Sequence, residues 1–94
     1  MVFLIMVKHH VPRTEVRKLL PDHNEYMDPH FASGMYLAAG PYDTHDGGLI
    51  LATGEREEIE AAVATDPFII SGIADAQIIG FSFSRALPPF SGLH

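Results

Sequence analysis

The sequence predicts an α+β domain of order βαββαβ, in which a four-stranded antiparallel sheet carries its helices on one face. Two observations lead there. Four short segments are dominated by β-forming apolar residues, and two others repeat apolar residues every three or four positions. Glycines and prolines punctuate the boundaries between them.

Val2 to Val7 is a continuous apolar run and fits a strand covered on both faces. Lys8 to Pro12 is a polar connection, with Pro12 just ahead of a helical pattern. From Arg13 to Ser33, the residues Val16, Leu19, Leu20, Met27 and Phe31 share one helical face, with Tyr26 beside them. Pro21 and Pro29 interrupt this pattern, so a kinked or divided helix is expected, and Gly34 is its natural stop. Met35 to Gly40 and Leu49 to Thr53 read as the second and third strands, joined as a hairpin by the turn-forming loop Tyr42 to Gly48.

Thr53 is placed to cap the second helix, whose start carries Glu55, Glu57 and Glu58 and whose apolar face is Ile59, Ala62 and Val63. Asp66-Pro67 breaks that helix and suits the start of a further helical turn, Asp66 as cap and Pro67 in the first position. Ala76 to Arg85 reads as the fourth strand, with Ile79, Phe81 and Phe83 alternating with Gly80, Ser82 and Ser84. The tail from Ala86 to His94 is an extension expected to lie across a surface. Residues 1–94 are read as one domain.

At 94 residues with 47% hydrophobic content, the chain is apolar for its size. So small a domain buries only a modest fraction of its surface. Helices on one face cannot cover a sheet that is apolar on both, so a homodimer is expected. The net charge of -6 and the lack of any basic run exclude nucleic acid and anionic membrane surfaces as partners. The apolar N-terminus lacks a basic lead and a small-residue cleavage site, so a strand is preferred to a signal peptide. It is too short to span a bilayer. Absence of Cys excludes disulfides, thiolate catalysis and Cys-ligated zinc, and is compatible with the cytoplasm.

His23 is the most informative polar residue. It falls on or beside the apolar stripe of the first helix, three residues after Leu20 and four before Met27. A buried polar group without a partner costs about 1–3 kcal/mol, so a partner is expected. That partner is backbone, water or an acidic residue; spacing does not choose. Asp66 is the second candidate, with helix capping as its alternative role. His9-His10 and the loop residues Asp43, His45 and Asp46 form a rival, metal-binding constellation. Adjacent histidines on an extended segment point apart, and no helical His-x-x-x-His pair exists, so no metal is expected. No phosphate-binding glycine loop or nucleophile elbow is present, and no cofactor is expected.

Several segments together resemble the YciI-like (YCII-related) family. They are Leu20-Pro21-Asp22-His23-Asn24-Glu25-Tyr26-Met27, Ser33-Gly34, Leu37-Ala38-Ala39-Gly40-Pro41, Asp46-Gly47-Gly48, and Ala64-Thr65-Asp66-Pro67-Phe68 with Gly72. The resemblance runs from the first strand to about Arg85. It implies a ferredoxin-like fold in which two subunits join their sheets into a dimeric α/β barrel. It also implies that His23 and Asp66 match the family's proposed active-site pair. Similar enzymes include dehydrochlorinases of hydroxylated aromatics and muconolactone isomerases, which move protons on small ring compounds without a cofactor. The expectation is therefore a lyase or isomerase using His23 and Asp66 for acid–base chemistry on a small oxygenated cyclic molecule. The alternative is a non-catalytic dimeric module that binds a small ligand or a partner protein.

Overall fold

The computed structural model describes residues 1–93; His94 lies outside them. Strand β1 spans Val2–His9, helix α1 Arg13–Ala32, β2 Tyr36–Pro41, β3 Gly47–Thr53, α2 Arg56–Val63, α3 Pro67–Ile70 and β4 Ala74–Phe81. A short 3₁₀ turn follows at Phe90–Gly92. The sheet is antiparallel throughout, in the order β2-β3-β1-β4. This is the ferredoxin-like arrangement, with β1 in the interior and β2 and β4 at the edges.

Alternation along β1 sets the core. Phe3, Ile5 and Val7 point to the helices and are buried with Ile50, Ala52, Ile59, Ala62 and Phe68. Leu4 and Met6 point to the other face and are half-buried. Pairing places them beside Leu51, Ile79 and Leu49, so an apolar surface runs across the face that carries no helices. Gly47 opens β3 where a Cβ would lie 1.9 Å from the carbonyl oxygen of Val7, which only glycine permits.

Four expectations about element boundaries are corrected. Helix α1 is not divided: it runs as one element of 20 residues with Pro21 and Pro29 inside it. Each proline removes one donor, and the carbonyls thereby freed belong to Arg17 and Glu25, which are exposed and open to water. Ser33 then caps the helix and Gly34 leaves it at φ +82°, a left-handed conformation suited to glycine. Thr53 does not cap α2; the cap position is Glu55, and the Thr53 hydroxyl donates to the Met1 carbonyl. Strand β4 begins at Ala74 and ends at Phe81, because its register follows β1 from His9 back to Val2. β1 itself extends past Val7 to His9.

Candidate functional site

Helix α1 packs against α3 and β2, and that contact brings the middle of α1 over the start of α3. His23 lies there, between the buried Val16 and Met27 along the inner side of the helix. Its side chain is 16% exposed. Asp66 sits where α2 has ended and α3 begins, its amide bonded to the Val63 carbonyl. With Pro67 in the first helical position, the Asp66 Oδ1 accepts the Phe68 amide at 2.9 Å, the expected cap. Asp66 is the buried charged residue of the core, 2% exposed.

The two side chains meet. The same Oδ1 that caps α3 lies 3.0 Å from His23 Nδ1. A carboxylate oxygen can only accept, so Nδ1 carries the hydrogen and donates it to Asp66. In the neutral ring, His23 Nε2 is then a bare lone pair. The imidazole is fixed further by Phe68, whose ring stacks on it at 4.2 Å with an interplanar angle of 9°. The residue after the Asp-Pro turn thus donates its amide to the carboxylate and lends its ring to the histidine.

A cavity of about 540 Å³ opens between α1 and the β2–β3 end of the sheet. His23, Phe68, Val16, Met27, Ile50 and Asn24 are among the residues that line it. Its size suits a small organic molecule. Among the described residues, its lining contains no Lys or Arg and includes Asp28. It is therefore a poor receptacle for a phosphate or a polycarboxylate.

Behind His23, the Tyr26 and Tyr36 hydroxyls share a hydrogen bond. Burial pushes both phenols above their ordinary value, and for Tyr26 the bond to Tyr36 pushes the same way. Neither phenol ionises where a histidine titrates, so they serve as packing and anchor.

The remaining histidines separate. His10 turns to solvent and pairs with Asp75 at 2.6 Å. His45 occupies the hairpin turn at φ +61°. His30 packs among the Tyr26 and Tyr36 rings. Among the described residues, no group of three or more His, Asp or Glu side chains is placed to hold a metal ion. No helix among them is long and apolar enough to cross a membrane.

His9 was not expected at this site. It ends β1 on the same face as Phe3, Ile5 and Val7 and lines the cavity. Its ring meets that of Phe68 in a T-shaped contact, 5.4 Å between centroids and 79° between planes. Burial pushes its pKa below the ordinary value, and His23 nearby pushes the same way. The signal is strand parity: His9 is two residues past Val7, where the apolar run that marks the strand ends.

The architecture is thus that of a ferredoxin-like α+β domain with a part-buried, carboxylate-bonded imidazole beside a cavity. The sequence profile of the YCII-related domain matches residues 1–82, and the chain belongs to that family. Among solved structures, it is similar to 5-chloro-2-hydroxyhydroquinone dehydrochlorinase (TftG) from Burkholderia phenoliruptrix AC1100, in complex with 2,5-dihydroxybenzoquinone. The two share 23% identity and a TM-score of 0.72 over 87% of this chain and 94% of that one, which establishes the common fold. No curated protein matches the chain.

Proposed function

We propose that the protein is a cofactor-independent enzyme of lyase or isomerase type, in which His23, oriented by Asp66, moves protons on a small oxygenated ring compound. The observation that carries this reading is the double use of Asp66 Oδ1, which holds both the Phe68 amide and His23 Nδ1 and leaves Nε2 as a base. His23 Nε2 takes a proton from a hydroxyl or an activated C–H of the substrate. Asp66 stabilises the imidazolium that forms, and the proton is returned at another atom of the substrate or to the leaving group. Among the described residues the lining has no Lys or Arg and includes Asp28, which disfavours an anionic substrate. The dehydrochlorinase named above, which acts on a chlorinated hydroxyhydroquinone and holds a dihydroxybenzoquinone, supports this substrate class. Muconolactone-type isomerisation is the same proton chemistry on a related ring.

The working form is proposed to be a homodimer. Leu4, Met6, Leu49, Leu51 and Ile79 form an apolar surface on the sheet face without helices, and a second sheet would cover it. Light scattering at micromolar concentration should give twice the chain mass; a monomer there removes this part of the proposal.

The catalytic reading is tested by turnover of hydroxylated and chlorinated hydroquinones. His23→Ala should abolish turnover in a folded protein, and Asp66→Asn should lower it. The ionisation seen in the rate profile should vanish with His23. Full activity in both variants would leave a small-ligand-binding module as the better account.

A further inference from the structure

The acid–base reading uses one imidazole of the cavity, but the cavity contains a second. His9 Nδ1 is buried and has no hydrogen-bond partner among the described residues. The ring as a whole is half-buried and borders the cavity. An orphaned buried N–H is rare and costly, and a bare ring nitrogen is the less costly thing to hide there. The hydrogen of a neutral His9 therefore belongs on Nε2, the atom left to meet a ligand.

Its surroundings favour the neutral ring. Burial and the neighbouring His23 and His10 oppose a charge on His9; Asp46 and Asp66 favour it, less strongly. The position is also shared with the base. Phe68 stacks on His23 at 4.2 Å and meets His9 in a T-shaped contact at 5.4 Å, so both imidazoles border the same aromatic ring.

We propose that His9 is a further catalytic residue of this cavity: a neutral imidazole whose Nε2–H hydrogen-bonds the ligand oxygen on which charge collects when His23 removes a proton. This rests on the acid–base reading above and extends it. The proton passes from the ligand to His23 Nε2, and the electron pair left behind is carried to the ligand oxygen. His9 keeps its hydrogen and stabilises that oxygen as it becomes an enolate or phenolate. With no Lys or Arg in the described lining, His9 supplies the donor that a cation would otherwise provide. The substrate class narrows to enolisable ketones and phenols.

Two measurements decide it. Nitrogen-15 NMR of the wild-type imidazoles at pH 7 should show His9 neutral and protonated on Nε2; a proton on Nδ1, or a doubly protonated ring, overturns the proposal. The second uses p-nitrophenol as a probe, followed by its absorbance. His9→Phe should weaken binding about tenfold or more, and His9→Gln, which returns an amide N–H near the Nε2 position, should recover most of it. Wild-type affinity in His9→Phe, or a His9→Gln no better than the Phe variant, overturns the donor role. Binding lost in His23→Ala yet unchanged in His9→Phe overturns this inference alone and spares His23. A wild-type protein that does not bind the probe overturns this inference together with the reading it rests on.

Discussion

Two His–Asp pairs lie on opposite sides of the sheet, and they differ in everything but composition. His10 and Asp75 meet at 2.6 Å with side chains 44% and 82% exposed. His23 and Asp66 meet at 3.0 Å with side chains 16% and 2% exposed. The shorter contact is the less consequential one. Water surrounds the His10 pair, competes for both partners and screens their attraction. Asp66 is held by the Phe68 amide and His23 by the Phe68 ring, so neither can turn away without giving up a second contact. What separates a poised imidazole from a decorated surface is the number of neighbours that fix it, not the length of one hydrogen bond.

The comparison can be broken most directly by activity. His23→Ala should cost about 10²–10⁴-fold in turnover, the usual worth of a positioned acid–base group. His10→Ala should stay within about twofold. Comparable losses in steady-state assays would erase the distinction. Stability gives the next largest contrast. Asp66→Ala removes a helix cap and leaves the Phe68 amide and His23 Nδ1 without their acceptor, a loss of about 2–4 kcal/mol by urea denaturation. Asp75→Ala should change stability by less than about 0.5 kcal/mol. Added salt should erase even that small effect and leave the Asp66 loss nearly unchanged.

The smallest effect is in pH, and it carries the contrast between enclosed and solvated imidazoles over to His9. Burial depresses the pKa of His9 below 6.5, its value in an unfolded chain. Above pH 6.5 neither state is protonated and this contribution to stability is complete. As pH falls through 6.5 the unfolded chain takes up the proton first, and stability drops until the folded ring is protonated as well. The melting temperature of the wild type should therefore fall more between pH 7 and the folded pKa than that of His9→Phe. Parallel slopes would show that His9 is not desolvated.

Much of this was legible in the residues. The apolar spacing around Val16 and Met27 put His23 on the inner side of α1, and Asp66-Pro67 marked a helix start, because both signals are local. Their meeting was not local: 43 positions separate them, and only the packing of α1 on α3 brings them together. That meeting was expected through the family resemblance, not through spacing. His9 escaped for a different reason. His9-His10 looked like a polar connection, and a polar pair after an apolar run gives no sign that the strand continues for two more residues. The prolines misled in the opposite sense. Their local penalty is real, but an exposed helix face lets water absorb it, and tertiary packing holds α1 in one piece.

The shared oxygen of Asp66 has a consequence for how the site fails. One atom secures both the first turn of α3 and the imidazole of α1, so a local opening of that four-residue helix would release the imidazole proposed as the base without requiring the sheet to unfold. The Phe68 amide is then a built-in gauge. Its hydrogen-exchange protection counts the molecules whose histidine is aligned, and thermal inactivation should track the loss of that protection rather than the melting of β1.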